Sequence, residues 1–221
     1  TIRGITLSGG KAAGISPAEK SGGGIYNAGT LTLTDLVFSD NTATEHGGGL
    51  YNAKGALTIS QTTCSKNSAS ANGGGLYTSN STADLSEVRL VGNSAVLGGG
   101  IYSYGSTWTL TGTSITENMG HGIWSYDDHS SSHWTVSDVT ITENTGRGIL
   151  SYARDFASQA WDLSNVTVST NTDRGIYAYS SFQSSQAWNL DDVTVSENTD
   201  GISSYASYYC KNAWTISGGI I

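Results

Sequence analysis

The sequence predicts an all-β chain coiled as a right-handed parallel β-helix, a solenoid of about eight to nine coils of about 26 residues with three short strands in each. Three observations carry this expectation. A Gly-rich step followed by an aliphatic residue occurs eight times, at Ile25, Leu50, Leu76, Ile101, Ile123, Ile149, Ile176 and Ile202, spaced 22 to 27 residues apart. An Asn stands ahead of the step from the second copy on: Asn41, Asn67, Asn93, Asn118, Asn144, Asn171 and Asn198. The apolar residues between them alternate with period two, as in Leu31-Thr32-Leu33 and Val139-Thr140-Ile141, which is strand spacing, and no helical period occurs.

Aligned copy under copy, the chain shows four inward columns. The first is Ile2, Leu33, Ile59, Leu85, Leu110, Val136, Leu163, Leu190 and Ile216. Three residues on come Ile5, Leu36, Thr62, Val88, Thr113, Val139, Val166 and Val193, and two further on Leu7, Phe38, Cys64, Leu90, Ile115, Ile141, Val168 and Val195. The step of three interrupts the alternation and marks a bend between two strands. The Ile/Leu series after the glycines is the last column. Strands this close in sequence cannot form hairpins that keep all four columns inward, so they must pair in parallel with the next copy. The Asn column predicts a ladder of buried amides that fixes register. The glycines predict a corner with positive φ, where only the final Gly of each step is retained in every copy. The whole chain reads as one domain, with an irregular first coil over 1–21, regular coils over 22–213 and an incomplete coil over 214–221.

Composition narrows the partners. A net charge of -8 argues against nucleic acid, which requires a basic stripe. No run of about 18 apolar residues is present, so no direct membrane insertion by a helix is expected. The chain reads as a mature or excised piece of a secreted product. Cys64 and Cys210 lie about six repeats apart. At strand spacing that is roughly 29 Å, which excludes a bridge between them. Cys64 takes an inward position and reads as a small hydrophobe.

The Gly-Gly-x-Leu/Ile step, as in Gly47-Gly48-Gly49-Leu50, paired with Phe38-Ser39-Asp40-Asn41, resembles the repeats of polymorphic outer-membrane proteins and related bacterial β-helix adhesins. Other copies keep the Asn and relax the Phe, as in Cys64-x-x-Asn67 and Leu90-x-x-Asn93, and the resemblance spans residues 22 to about 202. It implies a surface or passenger module used in adhesion or assembly, at an extracellular or cell-surface location.

Asn198-Thr199-Asp200, Asp191-Asp192 and Gly120-His121-Gly122 are similar to fragments of polygalacturonases, in which paired acids flank the glycosidic bond. Their order differs here, no Arg-x-Lys element follows, and His121 falls roughly 14 Å from Asn198 at strand spacing. Each fragment also has a place in a corner or in the Asn ladder, so no catalytic residue is assigned. Asp127, Asp128 and His129 form an oxygen-rich cluster able to hold calcium, yet adjacent acids in a Ser-rich loop are usually just solvated. The four His lack metal-ligand spacing, and no cofactor is expected.

Two aromatic series run through the second half. Trp108, Trp134, Trp161, Trp188 and Trp214 precede the first column and should sit at the core edge. Tyr104, Tyr126, Tyr152, Tyr179 and Tyr205, with Tyr102, Trp124 and Tyr177, should form an exposed strip able to bind a glycan or protein, unless the rings stack on one another between coils. Outward pairs such as Thr32/Thr34 and Thr109/Thr111 suggest an ice-ordering surface, interrupted at Asp162 and Asn189. The first strand, from Thr1, and the last, to Ile221, belong to one face without a capping element, which predicts head-to-tail self-association through the terminal coils. The expected function is a structural or adhesive surface solenoid, with a polysaccharide-degrading enzyme and an ice-binding protein as alternatives.

Overall fold

The computed structural model describes residues 1–220; Ile221, the end of the expected last coil, lies outside the described residues. Regular structure in the described residues is almost wholly parallel strand. Eight strands, from Ile25–Asn27 to Asp200–Ala206, form one sheet. Its register sets the Ile/Leu series after the glycines directly one above another, over seven steps averaging close to the expected coil length. A sheet of 15 strands carries the other inward columns on two faces. One face pairs Leu33 with Ile59, Leu85 and Leu110 in succession, and the other pairs Phe38 with Cys64, Leu90 and Ile115.

The expected bend between those faces falls on one left-handed residue per coil: Asp35 (φ 57°), Gln61 (49°), Glu87 (55°), Gly112 (56°), Asp138 (56°), Asn165 (51°) and Asp192 (53°). In Ser131–Thr142 and Ser158–Ser169 the strand passes through the bend unbroken, so these coils have two long strands where three were expected. Two further features escaped periodicity. A four-residue helix, Pro17–Lys20, interrupts the first coil, closed by a Ser16/Glu19 capping box with Pro at its start. Lys11–Ala12, Thr42–Ala43 and Ser68–Ala69 add a small third sheet to the early coils. Both are too short to produce a period.

Leu, Ile, Val, Phe and Trp fill the interior in one continuous cluster. Ile5 and Ile216, in the end coils, are 43% and 49% exposed although their column points inward. Thr62 and Thr113 are buried in an otherwise aliphatic column, and their hydroxyls donate to the Ser60 and Thr111 carbonyls while accepting the Leu36 and Val88 N–H groups. Each is thereby satisfied at a position where an unpaired hydroxyl would be costly. Cys64 is fully buried, and burial pushes its thiol up to about 12, which makes it unreactive. Both cysteines are free.

The glycine corner works differently from the expectation. Gly47, Gly73 and Gly98, the first of each early triplet, do take φ of 64°, 67° and 63°. The final Gly, kept in every copy, does not. A Cβ at Gly148 would lie 2.3 Å from Val168 Cγ1 and 2.8 Å from the Gly175 carbonyl oxygen, so it is the approach of the next coil that excludes a side chain there. In the later coils the middle position carries His121, Arg147 and Arg174; the first residue keeps a positive φ at Gly120 (113°) but not at Gly146 or Asp173.

The Asn column is a continuous hydrogen-bonded ladder. Asn67 Nδ2 and the Asn67 N–H both donate to Asn93 Oδ1, at 3.0 Å each, and Asn67 Nδ2 also donates to the Phe38 carbonyl at 3.1 Å. The pattern repeats from Asn41 through Asn118, Asn144 and Asn171 to Asn198. Gly10, which replaces the Asn in the first coil, still donates its N–H to Asn41 Oδ1 at 2.9 Å. Replacing Asn93 by Ala removes the acceptor of two buried Asn67 donors and the donor to the Cys64 carbonyl. The expected loss is about 3 to 9 kcal/mol at about 1–3 kcal/mol per orphaned group. Urea unfolding of Asn93→Ala should show it, whereas Thr109→Ala on the outer face should stay within about 0.5 kcal/mol of the parent chain.

Candidate binding surfaces

Side chains stack like on like, and this decides what each surface can offer. Trp108, Trp134, Trp161 and Trp188 are buried with rings 4.6 to 5.0 Å apart and nearly parallel, and Trp214 continues the stack at 4.8 Å. Their indole N–H groups reach inward polar partners: Trp108 to Ser103 Oγ, Trp134 to Ser125 Oγ, Trp161 to Ser151 Oγ and Trp188 to Gln186 Oε1. Gln159 Nε2 joins this row through Ser125 Oγ, and Gln186 Nε2 donates to the Tyr179 carbonyl. The serines two residues after Ile101, Ile123 and Ile149 carry an alternation signal that places them inward. Their partners could not be read because they lie across the coil.

The Tyr/Trp strip is not an open aromatic surface. Tyr102 is only 7% exposed, and Tyr104, Trp124, Tyr126, Tyr152, Tyr177 and Tyr179 are half-buried, leaving Tyr205 alone of the eight exposed. Tyr104, Tyr126, Tyr152, Tyr179 and Tyr205 stack in succession with centroids 4.4 to 5.7 Å apart. A parallel column, Tyr26, Tyr51, Tyr77 and Tyr102, does the same in the early coils and ends on Trp124, tilted by 39°. Ring faces are thus consumed by the neighbouring coil and mostly rims look outward, so the strip, Tyr205 at its end apart, offers little face for a sugar or a partner side chain. Tyr177 is capped by the guanidinium groups of Arg147 and Arg174, 4.6 and 4.8 Å from its centroid.

The residues weighed for catalysis are structurally engaged. His121 Nδ1 accepts the Arg147 N–H at 2.8 Å, and its ring meets Trp124 edge-on. Burial, with Arg147 close by, pushes its pKa down to about 4, so the imidazole is neutral at pH 7. Asn198 closes the ladder, Asp200 pairs with Arg174 at 3.3 Å, and Asp191 accepts the Ser217 hydroxyl at 2.7 Å. His121 leads into the strand Ile123–Asp128 of the eight-stranded sheet, whereas Asp191 ends the strand Ser185–Asp191 of the 15-stranded sheet.

The acidic cluster is also rearranged. Asp127 points inward and is fully buried, while Asp128 and His129 stand outside it, so the expected trio does not share a site. Asp128, His129 and Asp155 bring ligand atoms within 4.8 Å of one another, but Asp128 bonds His129 Nδ1 at 2.8 Å and Asp155 holds Arg154 Nε at 2.6 Å.

One surface went unnoticed in the sequence. Three successive corners put pairs of residues in the left-handed region: Asp155 and Phe156, Phe182 and Gln183, Tyr208 and Tyr209. They enclose a shallow depression lined by those six residues. Phe156, Phe182, Tyr208 and Tyr209 are all exposed there, at 48% to 92%. No periodic signal marks these loops, and nothing in the sequence announces a left-handed Phe or Tyr.

A family model described as right handed beta helix region matches residues 21–184. The chain belongs to the right-handed β-helix family. No curated protein and no solved structure matches it. In this β-helix the buried polar row holds one carboxyl without a cationic partner: Asp127 Oδ2 accepts the Ser132 hydroxyl, and Oδ1 has no partner. Burial pushes its pKa up, against the opposing pull of the hydrogen bond from Ser132. The unfolded chain ionises at the ordinary carboxylate pKa. The β-helix is therefore most stable with Asp127 protonated and loses that stability as pH rises through the raised folded value. Asp127→Asn should remove this dependence. Thermal midpoints of variant and parent, compared from pH 3 upward, should diverge in the variant's favour as pH rises; parallel curves would refute the assignment.

Proposed function

We propose that this β-helix is an extracellular or cell-surface structural and adhesive module, and not an enzyme acting on polysaccharide. The observation that carries the reading is the exposed aromatic ridge at the corners of the late coils, beside which His121 and Asn198 are engaged by backbone and ladder bonds and Asp191 and Asp200 by surface partners. A rigid ladder with varied corners suits display, because corners can change without disturbing the core. The similarity of Gly47-Gly48-Gly49-Leu50 and Phe38-Ser39-Asp40-Asn41 to polymorphic outer-membrane protein repeats supports the same reading. The strands Ile2–Arg3 and Lys211–Ser217 lie on one sheet and each pairs on one side among the described residues. A further coil, from more chain or from a second copy, would extend either edge.

A turnover assay on polygalacturonate and neutral plant polysaccharides, run beside a retention assay on the same polymers and on intact cells, separates the readings. Retention without release of reducing ends or unsaturated products is expected; product release that scales with protein would replace adhesion by catalysis.

Ice binding has one observation in its favour, on a different face from the one first considered. Ser114/Thr116, Thr140/Thr142, Thr167/Ser169 and Thr194/Ser196 stack in register as two uninterrupted hydroxyl rows over four coils. The neighbouring face is broken by Asp84, Asp162 and Asn189. If these rows order water, the chain should show thermal hysteresis that Thr140→Lys abolishes, since a long charged side chain would break the rows at their centre; a freezing point equal to the melting point would remove this alternative.

A further inference from the structure

We propose that the corner ridge centred on Phe156, Gln183 and Tyr209 is a binding site for an uncharged oligosaccharide laid along the solenoid axis, an inference that rests on the adhesive reading and names its ligand. The corners are held in strained geometry. Asp155 and Phe156 take φ of 50° and 66°, Phe182 and Gln183 of 54° and 60°, and Tyr208 and Tyr209 of 52° and 65°. Bulky residues rarely adopt this region, and left-handed pairs on three consecutive coils mark a site where strain is retained for presentation. The coils are tied to one another through the backbone, Phe156 N–H to the Phe182 carbonyl at 3.0 Å and Gln183 N–H to the Tyr208 carbonyl at 2.9 Å.

This ridge differs from the Tyr/Trp strip in the one respect that matters for a sugar. Phe182 and Tyr208 stack on each other, 5.1 Å apart and 3° from parallel, and so spend a face each. Phe156 and Tyr209 are 67% and 92% exposed, and the nearest ring to Phe156 is His129, tilted by 47° at 6.2 Å. Their faces are open. Two coil steps, roughly 10 Å, separate their rows, with the Gln183 carboxamide in the step between. Open rings at both ends, with the Gln183 amide between them, match a ligand whose rings carry C–H faces and whose hydroxyls both donate and accept. The net charge of -8 disfavours a polyanion, and the Asp155 carboxylate at the edge of the ridge is paired with Arg154. The apolar part is a few rings, well below the area of a standard protein interface.

The full chain would be titrated by calorimetry with cellohexaose, xylohexaose, mannohexaose and chitohexaose, and with polygalacturonate as the anionic comparison. At least one uncharged hexaose should bind with little dependence on salt, and Phe156→Gly and Tyr209→Gly should each weaken it tenfold or more. Glycine adopts a left-handed φ without steric cost, so both variants should keep or raise the thermal midpoint, and lost binding cannot be lost folding. Failure of all four hexaoses to bind overturns the proposal. So does undiminished binding by the double Gly variant, or a preference for polygalacturonate that fades with salt. Retention on cells that survives in the double variant would overturn the ridge and leave the adhesive reading standing, whereas absence of retention by the parent chain would remove that reading itself.

Discussion

The structure depends on one repeated interaction, the Asn side chain that accepts two hydrogen bonds from the coil on one side and donates to the next. From Asn41 to Asn198 every rung joins an amide nitrogen and a backbone N–H of one coil to the same Oδ1 of its neighbour. These atoms are buried, so a slip of one residue would orphan several donors at once, at about 1–3 kcal/mol each, and would turn every apolar column outward. Parallel pairing alone tolerates slippage; the ladder does not. The register found in both large sheets, with like residues on like, follows from it.

Strict register makes every surface residue a member of a row, and that limits function more than residue type does. A tyrosine repeated at coil spacing meets the next tyrosine face to face, so Tyr104 to Tyr205 stabilise the coil and offer little to a ligand. The same rule fills the interior with stacked Trp, whose N–H groups demand the serines and glutamines opposite. That polar row then accommodates Asp127, a buried carboxyl that an all-aliphatic edge would not admit.

The fold was legible because its determinants are periodic. The inward columns, the bend at the step of three and the Asn row each recur often enough to stand out, and the structure holds them in those places except at the end coils, where Ile5 and Ile216 are exposed. The reason for the retained glycine was not legible, since the clash it avoids comes from Val168 and the Gly175 carbonyl in the next coil. Nor was the exposure of the aromatic strip, because outward direction in a strand says nothing about the neighbour one coil away. The helix Pro17–Lys20 and the corner ridge occur without regular repetition, and periodicity is blind to both.

The ridge also follows from the ladder. A backbone fixed on both sides of a corner leaves that corner few ways to close, and where the loop is short a left-handed pair closes it whatever side chains it carries. Phe156, Phe182, Tyr208 and Tyr209 each bear a strain of about 1–3 kcal/mol that glycine would relieve. A continuous core can offset that cost, because corners contribute little to the interior packing. Phe156 and Tyr209 in such positions are hard to explain by stability, since neither enters the core nor stacks on a like ring. A surface contact that uses their faces supplies the missing reason, and the solenoid sets those faces at a spacing fixed by the coil step.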